Sequence, residues 1–202
     1  MSLFIAIEGI DGCGKGTQAK LLKEKLSDIG NDVLLTSEPT KGPTGKMIRE
    51  HLSDPFLDDE SLALLFASDR IEHLEKEVRP ALESNRFVIT DRYVYSSIAY
   101  QGQKVDMEWV GEINRYADRP DLAILLDLNP KISARRVDHR GEALEYFELD
   151  RDFQGSVRKT FQRISRGQHQ PDNLKTRWLV VDASLRKIEV QDRIWDVVSG
   201  ML

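Results

Sequence analysis

Short apolar runs alternate along the chain with longer amphipathic, charge-laced stretches. Five of the runs, Phe4 to Ile7, Val33 to Thr36, Phe87 to Thr90, Leu122 to Leu126 and Trp178 to Val181, are too short for stable helices and mostly apolar, as strands buried on both faces are. Between them the spacing predicts helices at about Lys15 to Ile29, Gly45 to His51, Asp58 to Arg79, Met107 to Tyr116, Lys131 to Arg140, Tyr146 to Arg166 and Lys187 to Val198. Such alternation predicts an α/β fold: βαβ units around a five-stranded parallel sheet, with ligands outside the carboxyl ends of the strands. Those ends are Glu8 to Thr17, Ser37 to Thr40, Asp91 to Tyr93, and Asp127. Lys41 to Thr44, with Gly42 and Pro43, and the charged Arg135 to Glu145 read as mobile elements.

Length and composition narrow the class. At 202 residues, with 40% apolar and 31% charged side chains, the chain predicts a single packed domain spanning 1–202. Twenty-nine basic against thirty-four acidic residues leave a net charge of -5, so no general positive field exists for nucleic acid, and an anion site must be local. The longest apolar runs fall far below a membrane span, and Glu8 interrupts the first of them, so no signal peptide is read. Cys13 is the only cysteine, which excludes an internal disulfide and fits a reducing cytoplasm. A cytoplasmic protein without a nucleic-acid or membrane partner is the expectation.

Directly after the first strand stands Gly9-Ile10-Asp11-Gly12-Cys13-Gly14-Lys15-Gly16-Thr17, and a helical pattern follows. This is G-x-x-x-x-G-K in its proper context, a loop whose backbone N–H groups and helix N-terminus cradle phosphates while Lys15 reaches the terminal ones. Such a loop alone fits GTPases, motor ATPases, transporters and kinases, so specificity must come from the second substrate. The hydroxyl that normally follows the lysine and binds Mg2+ is Gly16 here, so Thr17 is the nearest hydroxyl, acting directly or through water. Gly-Thr at this point resembles adenylate-kinase-type loops, in which magnesium is held largely through water and phosphate. Cys13 reads as a small filler; a thiol pKa lowered by the helix dipole would instead let alkylation block ATP.

Three further segments point to a second substrate. Asp91-Arg92-Tyr93 places a carboxylate that can orient magnesium-bound water, and a guanidinium that can hold a phosphate, at a strand tip; a structural ion pair is the plain alternative. Ser96-Ser97-Ile98-Ala99-Tyr100-Gln101-Gly102 suits a nucleoside pocket. Phe66, Asp69 and Arg70 share a helix face, where Phe66 either stacks on a base or joins the core of Leu62, Leu64 and Leu65. Glu38-Pro39-Thr40 follows the second strand, and Arg49 lies just beyond; spacing alone makes these a loop and a solvated arginine.

Together, G-x-D-G-x-G-K, E-P after strand two, F-A-x-D-R, D-R-Y and S-x-x-A-Y-Q-G, in that order from Phe4 to about Glu142, resemble the thymidylate kinase family. The resemblance implies a three-layer P-loop nucleoside monophosphate kinase-like fold with a short lid at about 135–145, and a homodimer. It also implies transfer of the ATP γ-phosphoryl group to dTMP, giving dTDP and ADP. By that resemblance Asp11 contacts the 3'-hydroxyl of dTMP or organises magnesium, Phe66 stacks on thymine and Arg70 bonds its O4. Arg92 holds the dTMP phosphate, Ser97 faces the base, and Tyr100 packs against C2' and disfavours ribonucleotides. Ser37 stands where relatives often carry arginine, and Arg49 is the candidate to replace that phosphate contact. Glu38, Pro39, Ser96 and Gln101 complete the acceptor set. The loop lacks the arginine some members carry, so Arg140, or Arg136 second, is expected to supply the transition-state charge, as arginines of the bacterial-type lid do. Arg140→Ala is expected to cut kcat by roughly 10³-fold; a solvated helix-end cluster with Arg135 is the alternative. The loop after the last strand, Asp182-Ala183-Ser184, is expected to pass the adenine. Another nucleoside monophosphate kinase, or an ATP-binding regulatory module without turnover, remains as an alternative. No Asn-Lys-x-Asp guanine motif is present.

Overall fold

The computed structural model describes residues 2–138, 147 and 150–202. Five strands, β1 (Phe4–Glu8), β2 (Val33–Ser37), β3 (Phe87–Asp91), β4 (Leu122–Asp127) and β5 (Arg177–Asp182), form one sheet in the order β2-β3-β1-β4-β5. Every pairing is parallel. All five expected strands are present, each one or two residues longer than its apolar run, because the polar residue at the tip still completes the ladder. The central strands are buried almost throughout, whereas the edge strands β2 and β5 carry exposed positions.

Helices flank this sheet. The phosphate loop turns into α1 (Lys15–Asp28), whose buried Gln18, Ala19, Leu22 and Leu26 keep helical spacing. It stops at Gly30, which takes φ +89° as a left-handed cap. Next, α2 (Pro43–Ser53) begins with proline in its first turn, so Pro43 and Thr44, read above as mobile, are helical. The single helix expected over Asp58 to Arg79 is three pieces: α3 (Asp59–His73), a π-helical turn (Leu74–Val78) and α4 (Arg79–Glu83). The periodicity cannot show this, since one extra residue in a turn only shifts the apolar face. Asp58 caps α3 by accepting from the Ser61 amide.

After β3 comes α5 (Val94–Tyr100), a helix the pattern did not predict because all seven of its residues are buried and it has no polar face. Then follow α6 (Met107–Ile113), α7 (Pro130–Asp138), α8 (Arg151–Ile164) and α9 (Lys187–Ser199). Here α6 stops short of Tyr116, and α8 begins at Arg151 behind the Asp150 cap. In the packing, α1 lies on α9 and on the β1–β3 side of the sheet, while α8 lies on β4 and α5. Most of the lid reading at 135–145, including Arg140, lies outside the described residues.

Candidate active site

The carboxyl ends of β1, β2 and β3 open into a cavity of about 1010 Å³, at the large end for a small-molecule site. Its floor is the phosphate loop from Asp11 to Thr17. Gly9 and Ile10 are not among the lining residues; the Ile10 side chain is in the core, and both contribute carbonyls. Lys15 Nζ donates to those carbonyls, Gly9 O at 3.1 Å and Ile10 O at 3.0 Å. Three loop glycines, Gly9, Gly12 and Gly14, have positive φ. At Gly12 there is a second reason for glycine: a Cβ would strike Val137 and the Ser133 carbonyl of α7, so an arginine has no room there. Gly16 has its own reason, since a Cβ there would lie 3.3 Å from Asp91 Oδ2. The missing hydroxyl of the loop is thus matched by a carboxylate drawn close to the start of α1. Burial pushes the Cys13 thiol up, not down, which removes the lowered-pKa reading of that residue.

One wall joins this loop to the acceptor residues. Arg92, in the left-handed region at φ +69°, donates through Nη2 to Asp11 Oδ1 and through Nη1 to Ser96 Oγ at 3.3 Å. Tyr100 donates to Asp11 Oδ2 at 2.9 Å and lies under the Arg92 guanidinium, 4.9 Å from ring centre to Cζ. Burial alone raises the Asp11 carboxyl, but Arg92 and Lys15 outweigh it and hold Asp11 below the usual carboxylate range. Burial keeps the Tyr100 phenol protonated, so it serves as a donor.

The deeper wall carries Phe66, half-buried, with Ser97, Gln101 and Arg70. Arg70 donates through Nε (3.0 Å) and Nη2 (2.6 Å) to Glu38 Oε2, through Nη2 to Ser97 Oγ (3.1 Å) and through Nη1 to Asn114 Oδ1 (2.5 Å). Among the described residues these bonds engage four of its five N–H groups, leaving one on Nη1. Asp69, on the same face, does not line the cavity; it accepts from the Thr40 amide at 2.8 Å and hydroxyl at 2.6 Å and so fixes the Glu38-Pro39-Thr40 loop. The Glu38–Pro39 peptide is cis. Arg49 corrects the solvated reading: its Nη1 donates to Pro39 O at 3.0 Å and Thr40 O at 2.5 Å, and it lines the cavity.

The far end of the cavity is bounded by Ala183, Leu185, Lys187 and Val190, beside Arg136, whose Nη2 donates to the Ala183 carbonyl at 3.0 Å. Asp127 is not among the lining residues, being clamped by Arg158 at 2.6 and 2.9 Å.

A family model described as thymidylate kinase matches residues 7–194. A probable thymidylate kinase of Pyrococcus abyssi is 48% identical over 169 residues, spanning 80% of this chain and 82% of that protein. One from Methanococcus maripaludis strain C7 is 39% identical over 200 residues, 98% of this chain and 96% of its own length. This chain belongs to the thymidylate kinase family.

In this thymidylate kinase family member, several residues that shape the site are not among those the sequence reading assigns to it. Glu8, fully buried at the end of β1, accepts from the Tyr93 amide at 3.0 Å and the Ser96 hydroxyl at 2.5 Å. Burial pushes it up to about 7, against the Ser96 bond and the charges of Arg92, Lys15 and Arg70. Its charge inside an apolar run was the available clue. Asn114, in the turn that ends α6, bonds Arg70, and Gln154 of α8 donates to Asp11 Oδ2 at 3.0 Å; both come from segments remote in sequence.

Proposed function

We propose that the protein catalyses transfer of the γ-phosphoryl group of ATP to dTMP, with the residues around the cavity in the roles that follow. The observation that carries these assignments is the Arg92–Asp11 contact, which joins the acceptor wall to the phosphate loop within one cavity. ATP lies with its phosphates on the loop from Gly9 to Thr17 and its base toward Ala183 and Leu185. Lys15 then exchanges its loop carbonyls for phosphate oxygens. The monophosphate lies opposite, its phosphate on Arg92 and near Arg49, its sugar on Asp11 and Tyr100, its base on Phe66.

One free N–H on Arg70 matches one carbonyl acceptor of thymine and leaves an amino group, as on cytosine, without a partner. A phosphate oxygen of dTMP attacks the γ-phosphorus as the bond to the bridging oxygen breaks, and ADP leaves. The acceptor oxygen is already ionised, so the side chains orient and neutralise charge instead of removing a proton. On the family resemblance Arg140 is the first candidate for the cation on the transferring group and Arg136 the second; Arg136 would have to leave the Ala183 carbonyl to serve.

Among the described residues no three His, Cys, Asp or Glu side chains gather to chelate an ion. The donor set, Asp91 beside Gly16 with Thr17 near, fits Mg2+ held through water and phosphate. When bound, Mg2+ supplies charge neutralisation on the phosphates. Small-molecule substrates, a single catalytic unit, a homodimer and a cytoplasmic setting belong to this proposal on the family resemblance.

The test is ADP release from Mg-ATP with dTMP, dUMP, UMP, AMP, CMP and GMP as separate acceptors. Strong preference for dTMP is expected. Preference for another monophosphate overturns the base-pocket assignments, and ATP binding without turnover favours the regulatory alternative.

A further inference from the structure

We propose that Glu8 is a positioning residue for the phosphoryl acceptor, fixing Arg92 through the Ser96 hydroxyl and the Tyr93 amide. The inference rests on the reading of Arg92 as holder of the monophosphate. Both oxygens of this buried carboxylate are committed to the same short turn: Oε1 accepts from Tyr93 N at 3.0 Å, and Oε2 from Ser96 Oγ at 2.5 Å. That turn needs an anchor. Arg92 holds φ +69°, a conformation that favours glycine, and the Tyr93 side chain does not cap α5, its hydroxyl donating instead to the Asp118 carbonyl at 2.8 Å.

The polarity of the contacts matters as much as their geometry. Above about pH 7, where Glu8 is ionised, the carboxylate only accepts, so the Ser96 proton points at Glu8 and the Ser96 oxygen is left to receive Arg92 Nη1 at 3.3 Å. The guanidinium, the hydroxyl and the carboxylate thus form one directed chain, with Arg92 also tied to Asp11. Glu8 does not line the cavity, whereas Arg92, Tyr93 and Ser96 do, so its influence on a bound phosphate passes through them. No proton abstraction is asked of Glu8, since the acceptor oxygen needs no base.

Glu8→Gln separates these ideas because it keeps the shape and changes the polarity. The amide must turn its carbonyl to the Tyr93 N–H and its NH2 to Ser96. The serine oxygen then accepts from the amide, its proton loses its partner, and the contact with Arg92 is disturbed.

Steady-state kinetics of Glu8→Gln, Ser96→Ala and the double variant are measured well above pH 7, where wild-type Glu8 is ionised, against dTMP at saturating ATP, and against ATP at saturating dTMP. The KM for dTMP is expected to rise roughly tenfold in each single variant, the scale of one charge-assisted hydrogen bond, with no further rise in the double variant and the KM for ATP within about twofold. An unchanged KM for dTMP in Glu8→Gln, an equal rise in both KM values, or multiplied effects in the double variant overturns the proposal. Should Glu8→Gln fail to fold by circular dichroism, Ser96→Ala decides alone, an unchanged KM for dTMP overturning it. A wild-type protein that phosphorylates no monophosphate overturns the underlying reading of Arg92 instead, a result distinct from all of these.

Discussion

Arg92 shows how much of this site depends on single side-chain geometry. Its planar fork spans Asp11 and Ser96 at once, which a lysine's point charge does not reproduce. Arg92→Lys is expected to lower kcat/KM for dTMP by roughly 10²-fold while leaving the KM for ATP near normal, measured by varying each substrate in turn. Glu38 has a different burden. It is buried and holds Arg70 through two bonds, so Glu38→Ala leaves a guanidinium uncompensated and is expected to cost about 3 kcal/mol in urea unfolding. Glu8 makes a pH prediction. Its carboxyl is raised from the ordinary 4.5 to about 7 in the fold, so between those values the folded protein binds more protons than the unfolded one. Stability from this group therefore falls as pH rises from about 4.5 to 7, by about 3 kcal/mol in total, and levels off above. Glu8→Gln removes that slope; parallel loss in variant and wild type across pH 5 to 7 contradicts it.

Among the elements, α2 is fixed by the absence of one methyl group. A helical Gly→Ala change ordinarily stabilises, yet a Cβ on Gly45 would run into the Thr40 backbone. Gly45→Ala is therefore expected to destabilise by roughly 1–3 kcal/mol, read by denaturant midpoint, and to raise the KM for dTMP by shifting the Glu38-Pro39-Thr40 loop. The elements differ in how plainly the chain announces them. The strands and the phosphate loop were legible because their signals are local: apolar runs, and glycines at fixed offsets beside a lysine. Helix α5 was not, since Val94 to Tyr100 is buried all round and no amphipathic period survives. The π-helical turn after His73 was hidden for the related reason that a helix can slip one residue without changing its composition. Phe66 and Arg70 were readable as one face, whereas the Glu38 and Asn114 bonds that lock Arg70 span 32 and 44 residues and leave no mark on either neighbourhood.

At the scale of the whole molecule, the sheet order sets β1 at the centre, with β3 carrying acceptor residues on one side and β4 and β5 leading to the far end of the cavity on the other. Two ligands on opposite sides of one loop are expected to stabilise the fold together. Each adds about 2.7 kcal/mol at a hundred times its dissociation constant, so a non-hydrolysable ATP analogue and dTMP should raise Tm jointly by at least the sum of their separate shifts. Loss of the dTMP shift when the analogue is present means that the two compete for one place. The lysine of the loop adds a final consequence. Because the Lys15 ammonium is already bonded to the carbonyls of Gly9 and Ile10, an anion that engages the lysine gains only the difference between its own bonds and those it displaces. The backbone N–H groups of the loop carry no such exchange. A polyphosphate chain long enough to use the whole loop therefore gains more than a single phosphate resting on the lysine.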